Sequence, residues 1–192
     1  MAGHLAPHLS HKSALVLLPS SLITPPIETI RRVNDKHFAR WPPHINLIYP
    51  FLPHQIKARI QNAVKAKRPF HVALSAAPPG TFSHSKRSKT VWLAPSPADA
   101  IQHLQAALQA EFSECDSDSR PFTPHLSVGQ AHSDAAALKL GTEVKKIVSD
   151  HLNDGDQNPS ALDWYVDKIF VIERKGYHGR FQVVDAIELQ TE

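Results

Sequence analysis

Apolar residues recur along this chain with two periods, and the switches between them mark its elements. The run at 14–18, stopped by Pro19, reads as a first strand. Residues 24–37 change to helical spacing, with Thr24 as N-cap, Pro25 in the first turn and an apolar stripe of Ile27, Ile30 and Val33. Alternation returns at 44–51, then gives way at 53–67 to Ile56, Ile60 and Val64 on one helical face with basic residues opposite. Strands are expected at 70–76 and 90–95. Between them runs a turn-rich, substrate-facing loop that carries Lys86, Arg87 and Lys89. The clearest helix is 96–112, where Ser96 with Asp99 resembles a capping box and Ile101, Leu104, Leu108 and Phe112 form the buried stripe. An acidic, serine-rich loop at 113–120 leads through proline into another strand, followed by a helix at 133–152 and two long strand patterns at 163–174 and 179–189. Four helices and about seven strands alternate without a long linker, so the expectation is one α+β domain over 13–192 behind a flexible tail at 1–12.

Within this order one pattern occurs twice. "PHINL" and "PHLSV" are both strand entries of the form Pro-His-aliphatic-polar-aliphatic, each followed by a helix, and their histidines, His44 and His125, lie 81 positions apart (125 − 44). Alternation places Asn46 on the face of His44 and Ser127 on the face of His125, roughly 7 Å along each strand. A histidine at one strand start has many structural explanations, and the chain holds thirteen of them. Two strands with the same order and matching faces are harder to ascribe to chance. Paired histidines suit phosphate chemistry, because one imidazole takes a proton from a nucleophile while the other gives one to a leaving oxygen. The Ser127 hydroxyl and the Asn46 amide could donate to the non-bridging oxygens as charge builds there.

Composition narrows the alternatives. With 192 residues, 42% of them hydrophobic, the chain can bury its own core and is expected to be monomeric. The net charge of +3 tolerates phosphate ligands without demanding them. Cys115 is alone, so no intramolecular disulfide forms and an intracellular, reducing compartment is expected, the cytoplasm before the nucleus. Its neighbours Glu114, Asp116 and Asp118 disfavour a thiolate nucleophile. No apolar run has the length of a membrane span. A metal hydrolase lacks a compact His-Glu-x-x-His or cysteine-rich signature, His8 and His11 of the tail have no partner cluster, and no Gly-rich phosphate cradle supports ATP-dependent ligation.

The segments "PHINLIYPF" and "TPHLSVGQ" resemble the paired signatures of the 2H phosphoesterase superfamily, which includes the 2′-5′ RNA ligase-like proteins and cyclic nucleotide phosphodiesterases. The resemblance extends over most of 13–190. It implies a two-lobed α+β fold with pseudo-twofold symmetry, antiparallel sheets with helices outside and a central cleft. It further implies hydrolysis of 2′,3′-cyclic phosphates at nucleotides or RNA ends, often leaving a 2′-phosphate, with His44 and His125 as acid and base and no metal or cofactor. Asn46 departs from the Thr or Ser usual in the family, whereas Ser127 keeps it. Such a change leaves room for a second reading, a nucleotide- or RNA-binding module with little turnover.

Further substrate contacts are expected around this pair. Tyr49 and Gln130 each follow a motif histidine by five positions, where the family often lines its cleft; alternation alone would turn both away unless a bulge intervenes. Among aromatic platforms for a nucleobase, Trp41 and Tyr177 lie in loops beside prolines or glycines, Phe82 is a further candidate, and Trp92 reads as core. Arg174 and Lys175 read as a solvated strand end before a phosphate contact.

Overall fold

A computed structural model describes residues 9–52, 56–115, 120–153 and 161–190. His8, the leading residues of the second helical pattern and residues 116–119 of the acidic loop lie outside the described residues. In chain order the elements are β1 (Ser13–Leu17), α1 (Thr24–Asn34), β2 (Ile45–Ile48), α2 (Lys57–Val64), β3 (Phe70–Ser85), β4 (Ser88–Ser96), α3 (Asp99–Glu111), β5 (Leu126–Ala131), α4 (Asp134–Asn153), β6 (Leu162–Val166), β7 (Lys168–Glu173) and β8 (Gln182–Glu188).

The strands form two antiparallel four-stranded sheets, ordered β2-β1-β7-β8 and β5-β4-β3-β6. The first half runs β1-α1-β2-α2 and the second β4-α3-β5-α4, so each sheet holds a histidine-entered edge strand beside the opening strand of its half. Helices cross between the halves. α1 packs on β5 and α4, while α3 packs on β2 and α2, so each motif strand is covered by a helix from the other half. This is the α+β arrangement the sequence implies, with a core continuous from Leu15 and Leu17 through Leu104 and Leu108 to Val144 and Val148. A smaller cluster of Ala14, Val16, Ile172 and Phe181, flanked by Trp41, lies on the opposite face of β1.

Several local expectations are corrected. In α1 the buried residues are Pro26, Ile27, Ile30 and Arg31, whereas Val33 is 78% exposed. At 3.6 residues per turn, position 31 falls within the stripe set by Ile27 and Ile30, and position 33 falls off it. Thr24 does not cap the helix with its side chain; its hydroxyl donates to the Ser20 carbonyl at 2.7 Å. Pro25 and Pro26 follow it and have no N–H groups to cap. Ser96 is likewise not a cap, because it belongs to the end of β4 and pairs with Ala73. The region 77–89 is no loop: after an irregularity between Ser75 and Gly80, β3 and β4 pair from Gly80↔Trp92 to Ser85↔Ser88 as a hairpin arm. The pattern at 163–174 divides at Asp167 into β6 and β7, which belong to different sheets. The alternation carries the sign of this division, since burial falls on 162, 164 and 166 and then shifts phase to 169 and 171. Residues 9–12 end the expected tail yet join the body, where Leu9 is buried and Ser10 bridges Phe51.

Candidate active site

Each motif histidine sits just before its strand and is held in the same way. His44 Nδ1–H donates to the Pro42 carbonyl and His125 Nδ1–H to the Thr123 carbonyl, both at 2.7 Å. The local cause lies in the sequence, since in both cases a buried proline, Pro43 or Pro124, precedes the histidine. Proline biases the residue before it toward extended backbone, and here that residue's carbonyl meets the histidine ring two positions on. Because a carbonyl only accepts, the bond puts the neutral ring's proton on Nδ1 and leaves Nε2 as the site of proton exchange.

A β-bulge falls at the same place in both motif strands. Along β2, Asn46 faces Val16 and Ile48 faces Leu15, so Leu47 is the extra residue. Along β5, Ser127 faces Trp92 and Gly129 faces Val91, so Val128 is the extra residue. Each bulge lies three positions after the histidine and reverses the alternation beyond it. Ile48 therefore turns into the core, Tyr49 out of it, and Gln130 onto the face of Ser127.

These strands open onto a cavity of about 330 Å³. Trp41, His44 and Asn46 line it from one half, and Ser127 and Gln130 from the other. The end of α1 with the segment after it, and the β3–β4 arm through His84, Ser88 and Thr90, complete the wall. His125 lies outside that wall, edge-on to Phe82 at 4.8 Å and to Trp92 at 5.9 Å between ring centroids. Its charge still bears on His44. Trp41 stacks on His44 at 4.6 Å and on Phe181 at 3.8 Å, so its ring supports the histidine from the small cluster behind it.

Electrostatics disfavour the charged form of both rings. Burial holds His44 down at about 4 against the opposing Pro42 bond, with Arg31 and His125 lowering it further and Asp35 raising it. Burial also lowers His125, the Thr123 carbonyl opposes this, and His84 adds to the lowering. Asn46 Oδ1 is buried with no hydrogen-bond partner, which leaves Nδ2 as the amide group available to a ligand. Cys115 is buried, and burial with Glu114 pushes its thiol up to about 11, an inert environment.

Of the outer candidates, Tyr49 is half-exposed, edge-on to Trp41 at 5.2 Å, with its hydroxyl donating to the His11 carbonyl at 3.4 Å; it lies outside the cavity wall and outside the core. Tyr177 also lies outside the wall, 70% exposed. Arg174 is buried, not a solvated strand end: its guanidinium donates to the His11 and Tyr177 carbonyls and covers the Phe181 ring. Sequence reasoning missed Arg31, Asp35 and His84. The first two carried a signal in their i, i+4 spacing on a helix, with Arg31 in phase with the apolar stripe. His84 was hidden by the reading of its arm as a loop. Among the described residues, no group of three or more His, Cys, Asp or Glu side chains is placed to hold a metal ion, and no helix is long and apolar enough to cross a membrane.

Comparison with known proteins places the fold and the family. Residues 18–178 match the family model of the 2′-5′ RNA ligase superfamily. A protein of Geobacillus thermodenitrificans (strain NG80-2) named "Putative phosphoesterase" is 26% identical over 140 residues, which cover 70% of this chain and 78% of that protein. Crystal structures of E. coli LigT are similar in fold: the 3′-AMP complex has a TM-score of 0.61 at 16% identity and the apo form 0.60 at 15%. The match covers 94% and 95% of this chain, respectively, and 99% of each LigT chain. With the family model matched over most of its length, the chain belongs to the 2′-5′ RNA ligase superfamily of 2H phosphoesterases.

Proposed function

We propose that this protein is a metal-independent phosphodiesterase that opens 2′,3′-cyclic phosphates of nucleotides or RNA ends, with His44 and His125 as the acid/base pair. The observation that carries the reading is the matched presentation of the two rings, each with Nδ1 tied to a carbonyl two residues back and Nε2 left for proton transfer. One Nε2 takes the proton of a water as its oxygen bonds to phosphorus. The other, protonated, gives its proton to the ribose oxygen as the P–O bond breaks, leaving a phosphomonoester and a free hydroxyl. Burial lowers the proton affinity of both rings, and an anionic phosphate stabilises the imidazolium that the acid requires. Ser127 Oγ and Asn46 Nδ2 donate to the non-bridging oxygens. A cavity of about 330 Å³ suits a nucleoside phosphate, and LigT, which shares the fold, has been crystallised with 3′-AMP.

Asn46 favours one rival, a nucleotide-binding module with little turnover, because its amide projects farther than the family's usual hydroxyl. Hydrolysis of 2′,3′-cyclic mononucleotides in EDTA separates the two. Wild type is expected to turn over with one product isomer, and His44→Ala and His125→Ala each to lose roughly 100-fold or more in kcat. A folded wild type that binds nucleotide 2′-phosphates but forms no product would establish the binding module instead.

A further inference from the structure

The end of α1 ties the two histidine strands together through a buried charge. Arg31 is 2% exposed, on the helix face where Ile27 and Ile30 set an apolar stripe. Its Nε donates to Asp35 Oδ2 at 2.8 Å and its Nη2 donates to the Trp41 carbonyl at 3.0 Å, which fixes the residue whose ring stacks on His44. Asp35 Oδ1 accepts from the His37 N–H at 2.8 Å and from Gln130 Nε2 at 3.1 Å. Gln130 Oε1 accepts in turn from the Lys36 N–H at 3.0 Å. A continuous path of bonds thus runs from the support of His44 to the strand of His125, with Gln130 at its far end.

A further observation shows that the path is built into the fold. A Cβ on Gly129 would lie 2.7 Å from Asn34 Cβ and 3.0 Å from the Asn34 carbonyl oxygen, so glycine lets the end of α1 approach β5 this closely. Buried ion pairs are often no more stabilising than apolar residues of the same volume, so stability alone gives weak reason for Arg31–Asp35 here. The amide of Gln130 has its oxygen and one N–H committed to the segment after α1.

We propose that the Arg31–Asp35 pair and Gln130 form a strut that sets the spacing of the two histidine strands, which makes Gln130 a positioning residue and not a phosphate ligand. The kinetic part of this proposal rests on His44 and His125 being the reacting pair; the structural part does not.

Gln130→Ala and Gln130→Lys test it by three measurements. Amide exchange at Lys36 and His37 is expected to quicken about tenfold or more in both variants, with exchange at Ile60 in α2 unchanged. Affinity for inorganic phosphate, measured by calorimetry, is expected to stay within about threefold. On a 2′,3′-cyclic nucleotide, kcat is expected to fall about tenfold with KM nearly constant, and lysine, which lacks the acceptor for the Lys36 N–H, not to rescue it. Unchanged exchange at Lys36 in Gln130→Ala overturns the strut whatever the reaction proves to be. A phosphate affinity reduced tenfold or more with kcat preserved, and restored by lysine, makes Gln130 a ligand and overturns its assignment as a positioning residue. A wild type inactive on every cyclic phosphate defeats the reaction assigned to the histidines, while exchange and phosphate binding still decide the strut.

Discussion

At the scale of single residues, the two histidines share a tautomer and differ in surroundings. His44 is held at about 4 by burial, with Arg31 and His125 adding to it, whereas His125 is lowered by burial with His84 as its charged neighbour. Since kcat/KM reports the free enzyme, and both rings lose their protons below the ordinary histidine value, its bell should lie on the acid side of neutrality, with the basic limb already falling below that value. An anionic substrate stabilises both imidazolium forms, so the kcat bell, which reports the complex, should be displaced to higher pH. Rates measured from pH 4 to 9 on a cyclic mononucleotide check this, and coincident profiles would contradict it. That His44 and Asn46 meet at one wall was legible because alternation and the repeated motif require only local sequence; Ser127 reaches the same cavity, with His125 outside its wall. The positions of Tyr49 and Gln130 were not legible, since both depend on bulges at Leu47 and Val128 that only strand pairing reveals.

At the scale of elements, α1 decides the geometry of the cleft. Its two unusual features, a buried arginine and a neighbouring strand glycine, make opposite predictions from those hydrophobicity would give. Arg31→Met strands the Asp35 carboxylate without its cation and should cost about 3–5 kcal/mol, while Val33→Lys should lie within about 0.5 kcal/mol of wild type. Gly129→Ala drives a methyl against Asn34 and Leu140 Cδ2, the latter at 2.9 Å, and should cost about 1–3 kcal/mol. Urea unfolding of the three variants provides the comparison; a Val33→Lys loss equal to that of Arg31→Met would refute the assignment of faces. Helical phase is present in the chain and favours position 31, whereas hydrophobicity alone favours Val33. The β3–β4 arm escaped notice for a different reason: its residues carry turn chemistry, and their pairing is set by each other.

At the scale of the whole molecule, each sheet is covered by helices from both halves, so neither motif strand is packed without the other half of the chain. Stability and site chemistry are therefore linked. His44 binds its proton at about 6.5 when unfolded and at about 4 when folded. Below pH 6.5 the unfolded state holds the extra proton, so stability should decrease as pH falls from 6.5 toward 4, by roughly 2–3 kcal/mol from this residue. His125 acts in the same direction. Inorganic phosphate, by favouring the protonated rings, should restore part of that loss. Thermal melts at pH 5 and 7, with and without phosphate, test the prediction; an unaltered acid loss in His44→Gln would place its origin elsewhere.

The sequence by itself determined the α+β class, the four helices and most of the strands, the two histidine-entered strands and the face that Asn46 shares with His44. These follow from periodicity, proline and motif order, which act over a few residues. Only the tertiary structure decided that Gln130 faces Asp35, that Trp41 backs His44, that Arg31 is buried and that Arg174 clamps backbone carbonyls. Apart from Arg31, whose helical phase and i, i+4 partner are local, those outcomes arise where segments distant in sequence meet, at bulges and close approaches whose partners no local pattern names.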